Sequence, residues 1–154
     1  MRPSMAGTTR VCVDRCQDGD LLGTVCSPYI REPIPFAGVA ALVRKLEQVA
    51  DTVGFPQAYE EYRTFSAGAA LLRAPANTER SLTRLMDEQE FEIKAGKQAT
   101  FIIQIRFRQN ATWQGTITWS EKKQVQYFRS ALEMIRLMDE AMGQLQPQED
   151  AQWQ

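Results

Sequence analysis

Residues 103–142 read IQIRFRQNATWQGTITWSEKKQVQYFRSALEMIRLMDEAM, and residues 11–50, VCVDRCQDGDLLGTVCSPYIREPIPFAGVAALVRKLEQVA, carry the same plan without a gap 92 positions earlier. Gln17, Gly23, Thr24, Phe36 and Arg44 recur as Gln109, Gly115, Thr116, Phe128 and Arg136. The apolar positions coincide as well: Val11, Val13 and Val25 fall on Ile103, Ile105 and Ile117, while Leu42, Val43 and Leu46 fall on Met134, Ile135 and Met138. In both stretches a period of 2 changes to 3.6 at the same point, which is the mark of a duplicated strand, strand, helix unit.

In the first unit, Arg10 to Cys16 and Leu21 to Ser27 read as strands joined at Gln17-Asp18-Gly19-Asp20, where Asp-Gly signals a hairpin turn. Pro28, Pro33 and Pro35 defer the helix to about Phe36, and Gly54 and Pro56 end it. The second unit runs through Thr100 to Arg108, a turn at Gln109 to Thr112, then Trp113 to Trp119, with Gln124 to Phe128 as a third strand. Ser130-Ala-Leu-Glu133 has the capping-box form, and Gly143 suits the helix stop. Between the units, Tyr59 to Ser66 and Glu90 to Lys94 read as strands, Ala67 to Ala76 as a loop and Asn77 to Glu88 as a helix.

The expected fold is α+β: a single domain over 1–154 in which an antiparallel sheet packs on helices in two layers. Repeat one spans about 10–54, a connecting segment 55–95, repeat two 96–143 and a polar, flexible tail 144–154. If Val13 faces Val25 and Ile105 faces Ile117, then Phe101, Phe107, Trp113 and Trp119 join the core. The opposite, open face then presents Cys12, Cys16 and Cys26, with Cys12 across from Cys26, and also Gln104, Arg106, Arg108 and Gln114.

A formal charge of -1, with 18 Lys and Arg against 19 Asp and Glu, gives no global pull toward nucleic acid or an anionic membrane. The apolar runs are short and Met1 to Arg10 lacks the stretch of a signal peptide, so the cytoplasm is the expected compartment. Histidine is absent, which removes the commonest general base and metal ligand. The three cysteines lack Cys-x-x-Cys spacing and read as free thiols without metal. No phosphate loop or catalytic motif is present, and adjacent carboxylates such as Glu60-Glu61 and Asp139-Glu140 point apart. Gly23 and Gly115, at equivalent strand sites, suggest a bulge or a close backbone approach against the helix.

These features point to a non-catalytic, cofactor-free module that binds another protein or itself, with Gln104, Arg106, Arg108 and Gln114 as the candidate face. Nucleic-acid binding through Arg106 and Arg108 ranks second, because alternation puts Trp113 and Trp119 on the other side of the sheet from the arginines. A small-ligand binder or enzyme ranks third. The strings Arg108-Gln-Asn-Ala-Thr-Trp-Gln-Gly115 and Phe128-Arg-Ser-Ala-Leu-Glu-Met-Ile-Arg-Leu-Met-Asp139, with Gly54-Phe-Pro-Gln57, resemble small uncharacterised proteins of anaerobic Gram-positive bacteria. That resemblance implies no catalytic or ligand residue. The strand, strand, helix order is also similar to HicB-type and double-stranded-RNA-binding-like units.

Overall fold

A computed structural model describes residues 7–54, 65, 85–108 and 112–145. The strand expected over Tyr59 to Ser66 (Phe65 apart), the loop over Ala67 to Ala76, the helix over Asn77 to Glu88 as far as residue 84, the turn at 109–111 and the tail beyond Leu145 lie outside the described residues, while Leu85 to Asp87, expected to be helical, are not. The protein is α+β. Among the described residues the strands are β1 (Thr8–Gln17), β2 (Asp20–Cys26), β3 (Ile34–Ala37), β4 (Ala99–Phe107), β5 (Gln114–Trp119) and β6 (Gln124–Phe128). The helices are α1 (Val39–Val53), α2 (Glu88–Ile93) and α3 (Ala131–Gln144). One antiparallel sheet holds all six strands in the order β3-β2-β1-β4-β5-β6. No described helix is long and apolar enough to cross a membrane.

Each element has a local cause. Asp18 and Gly19 take φ of 54° and 77°, the two positive values that a two-residue turn needs to match strand twist. α1 starts at Gly38, which has no side chain to cap it; Asp20 supplies the acceptor instead, its Oδ1 taking the Val39 N–H at 2.8 Å and the Leu21 N–H at 3.0 Å. Gly54, at φ 77°, closes α1 in the left-handed conformation. At α3 the Ser130 hydroxyl accepts the Glu133 N–H at 3.1 Å, and Glu133 reaches back to the Arg129 N–H, one residue before the cap. Gly143 does not end this helix, which continues to Gln144.

The main core joins Val11, Val13 and Val25 with Phe101, Ile103, Ile105, Ile117 and Trp119, and it includes Leu42 and Leu46 of α1 with Met134 and Met138 of α3. Strand alternation sends Cys12 and Cys26 to the other face, where they meet Met86 and Phe91 in a second cluster. The face opposite α1 is therefore covered over β1 and β2. The segment that covers it is held by its backbone: the Leu85 and Met86 N–H groups donate to the Pro28 carbonyl at 3.0 Å, and Gln98 N–H donates to Val13 O at 2.9 Å. α2 replaces the strand expected at Glu90 to Lys94. A strand would have put Phe91 and Ile93 on one face, but Phe91 is buried and Ile93 is exposed.

Two further differences concern register and edges. The hairpins pair two residues away from the expected register, Val11 with Val25, Val13 with Gly23, Ile103 with Ile117 and Ile105 with Gly115. A shift of two keeps every side chain on its face. β3 goes unread in the sequence because of Pro35, which the sheet accommodates on its outermost strand.

Gly23 and Gly115 face the neighbouring strand rather than a helix. A Cβ on Gly23 would lie 1.8 Å from the Cys12 carbonyl oxygen, and one on Gly115 would lie 1.9 Å from that of Gln104. Gly143, in a helix, has nothing within 4 Å. Gly23→Ala and Gly115→Ala should each cost on the order of 3 kcal/mol through backbone displacement, whereas Gly143→Ala should add roughly 0.5 kcal/mol through helix propensity. Urea denaturation of the three variants checks this, and midpoints that all move the same way would contradict it.

Candidate functional site

The face expected from sequence is divided by a bulge. Ile105 pairs with Gly115 and Phe107 with Gln114, leaving Arg106 as an extra residue. Beyond it the alternation reverses. Gln104 and Gln114 stay on the face away from the main core, half-buried, and Arg106 is exposed. Arg108 crosses to the helix side and is only 2% exposed. Its Nη1 donates to Glu47 Oε1 at 2.7 Å and to Asp51 Oδ1 at 2.8 Å, both on α1. Glu47 Oε2 also accepts the Trp113 indole N–H at 2.8 Å, so one carboxylate ties the strand end and the following hairpin arm to α1. Arg108 thus leaves the candidate face, and Phe107, expected in the core, is 50% exposed on it.

β1 makes the same reversal. Val13 pairs with Gly23 and Arg15 with Leu22, leaving Asp14 as the extra residue, and Cys16 then packs against the main core. The three cysteines therefore do not share a face. Cys12 lies across from Thr24, and Cys26 lies across from Arg10.

Directly paired residues share a face, so the pairings define the outer surface of the second half. Ile102, Thr118 and Val125 form one row, Gln104, Thr116 and Tyr127 a second, and Phe107 with Gln114 a third. Tyr127 is 72% exposed, and Val125 is exposed too. This surface is apolar and amide-rich with Arg106 at its margin, in place of the basic surface expected. β6 is an outermost strand, and Gln124 to Tyr127 are all exposed. At the opposite margin β3 carries Pro35, which has no N–H to offer a further strand. The repeated glycines were the available signal for the bulge, and placing the extra residue opposite Gly115 would have turned Arg108 inward.

On the covered face Cys12 and Cys26 lie together in the buried cluster with Met86 and Phe91. Arg10 closes over it, its guanidinium 5.7 Å above the Phe91 ring and its Nε donating to the Lys94 carbonyl at 3.0 Å. The hydrogen bond from Cys12, opposed by burial and aided by the charges of Lys94 and Arg10, lowers the Cys26 thiol from 9.0 to about 7. The same hydrogen bond, then burial, pushes Cys12 well above 9.0. Among the described residues no three His, Cys, Asp or Glu side chains are grouped to hold a metal ion.

Comparison with protein-family models, with curated proteins and with solved structures gives no match for this chain.

Two outcomes follow from these contacts. Arg108→Ala should cost about 3 kcal/mol, because it removes a buried ion-pair partner, and Arg106→Ala should stay within about 0.5 kcal/mol; equal losses in chemical denaturation would contradict the bulge assignment. For the thiols, the lowered Cys26 adds stability as pH rises from about 7 toward 9 and loses it as pH falls through about 7. The raised Cys12 contributes stability below 9.0 that is lost at higher pH, as the unfolded thiol ionises. The stability difference between wild type and Cys26→Ala should therefore grow from pH 7 to 9 and shrink beyond it; a flat difference would refute the pairing.

Proposed function

We propose that this chain is a non-catalytic cytoplasmic interaction module, built from two copies of a strand, strand, strand, helix unit, that associates with a second copy of itself through β6. The duplication is supported by residue pairings. Val11–Val25, Val13–Gly23 and Gly23–Phe36 correspond to Ile103–Ile117, Ile105–Gly115 and Gly115–Phe128. The bulges, at Asp14 and Arg106, and the glycine contacts to the Cys12 and Gln104 carbonyls keep the same spacing. Because β1 and β4 pair antiparallel with Arg10 opposite Ile102, an approximate two-fold axis runs through that pair. α1 and α3 then form one layer on the sheet, with α2 added on the reverse side of the first copy.

The observation that carries the association is the contrast between the two sheet margins. β3 is guarded by Pro35, while β6 offers four consecutive exposed residues with Val125 and Tyr127 among them. An antiparallel pairing of two β6 strands centred on Gln126 places Val125 of each copy opposite Tyr127 of the other. Such β-branched and aromatic pairs each contribute roughly 0.2–1 kcal/mol, and the arrangement is isologous. Strand addition of this kind needs no reactive centre.

Nucleic-acid binding is the second reading, favoured by one specific observation: Phe107 and Tyr127 are exposed on the same face, next to exposed Arg106. Exposed rings beside a cation can stack bases and hold phosphate.

One pair of substitutions separates the readings. Val125→Lys with Tyr127→Lys puts like charges across the β6 pairing, so sedimentation should show wild type associating with rising concentration and the double variant monomeric. Salt-sensitive binding of a single-stranded oligonucleotide, retained in that variant and lost in Arg106→Glu, would reverse the order. Wild type that stays monomeric at the highest soluble concentration would overturn self-association.

A further inference from the structure

Among the described residues eight large apolar side chains are exposed, and five of them lie on the reverse face of the sheet: Leu85 and Ile93 on the segment that covers β1 and β2, and Phe107, Val125 and Tyr127 on the strands left uncovered. An apolar surface gathered on one face in this way marks an interaction site. We propose that this face packs against the same face of a second copy, in an isologous dimer whose two-fold axis runs along the strands between β1 and β4. The surface is separate from the β6 edge, so it does not depend on strand addition there.

One cross-strand row shows why the face fits itself. Cys26, Arg10, Ile102, Thr118 and Val125 are paired in turn across β2, β1, β4, β5 and β6, so all five share the reverse face. Phe91 of α2 covers the first end of the row, clustered with Cys12 and Cys26 and 5.7 Å from the Arg10 guanidinium. Ile102, Thr118 and Val125 meet no described helix. The face therefore has a raised half and a low half, and the step between them is one helix high, about 10 Å. Rotation about an axis along the strands sets the raised half of each copy on the low half of the other. Because α2 lies over β1 and β2, its axis and that of its mate end up two strand spacings apart, about 10 Å. That is the ordinary distance between packed helices.

The side chains of α2 agree with this placement. Residues two positions apart on a helix point roughly 200° apart, so Ile93 points away from the sheet that Phe91 enters, and it is 76% exposed. In the dimer Ile93 falls on the partner's uncovered row. Asp87, Glu90 and Glu92 are exposed around it. The half that receives them has no acid among its paired outer residues, and it is bordered by exposed Arg106 at one end and exposed Lys123 at the other. Acid on one half and base on the other favour the alternating arrangement over raised half on raised half. Each half spans three strands, so the two halves of both copies bring together on the order of 1,000 Å², the size at which a specific interface begins.

Val125 and Tyr127 belong to both this face and the β6 edge, whereas Ile93 is remote from β6 and separates the two contacts. The test uses the full chain at concentrations where it associates. In a mixture of isotope-labelled and unlabelled copies, a filtered proton–proton Overhauser spectrum should connect the Ile93 methyl groups of one copy with those of Thr118 and Val125 of the other. Ile93→Asp, at an exposed position, should keep the folded spectrum and weaken association about tenfold in sedimentation. Glu90→Lys with Glu92→Lys should weaken it as well. Association unchanged by Ile93→Asp, or contacts between copies confined to Val125 and Tyr127, would overturn the reverse-face dimer and leave the edge pairing in place. Contacts from Ile93 to the partner's Thr118 without any between the two β6 strands would do the opposite. A chain that is monomeric at every soluble concentration, or one whose Ile102 and Val125 are covered by another part of the same copy, would also overturn the proposal.

Discussion

A strand has a side-chain period of 2, so the one extra residue at Arg106 reverses every side chain beyond it, and much of the second half depends on that reversal. The extra residue requires a partner without a Cβ, since any side chain at Gly115 would enter the Gln104 carbonyl. Once the reversal is made, Arg108 is committed to the helix side, where an unpaired guanidinium would carry a desolvation penalty of several kcal/mol. Glu47 and Asp51, at 2.7 and 2.8 Å, offset it. Glycine, bulge, buried arginine and the two acids of α1 thus form one chain of necessity. Arginine suits this place because its several donors let Nη1 serve two carboxylates at once.

The same device on β1 has a different chemical outcome. Beyond Asp14 the reversal brings Cys16, opposite Leu21, against the main core. One bulge therefore ties the sheet to α1 by charge, and the other turns an apolar side chain against the core. Covering of the reverse face differs as well. Phe91 and Met86 shield Cys12 and Cys26, while the rows ending at Val125 and Tyr127 meet no described helix. The two ends of the sheet therefore differ at their margins and on the reverse face.

Much of the framework was legible because it rests on local periodicity. The 2-to-3.6 change located β1, β2, β4, β5 and both long helices; Asp18-Gly19 located the turn, and Ser130 with Glu133 located the cap. Trp113 and Trp119 were placed in the core by alternation, and both are buried. Alternation has limits. It does not separate two hairpin registers that differ by two, because both bury the same residues. Over Glu90 to Lys94, five residues with two apolar positions fit either period, so nothing local distinguishes α2 from a strand. The places of Arg108 and Phe107 depend on a bulge whose trace in the chain is a glycine on the neighbouring strand, so alternation carried through it assigns each to the wrong face.

β6 serves two surfaces with one short strand. Val125 and Tyr127 lie in the outer rows, whereas Gln126, between them, lines a cleft beside α3 with Phe101, Ile117 and Trp119. At the other margin of the sheet Ile34, paired with Val25, packs against the core instead. A glutamine contributes less apolar contact than an isoleucine, so β6 is held by its backbone pairing with β5 and by Phe128, which is buried at its end. The strand that offers its edge is thus the one anchored least by side chains from beneath.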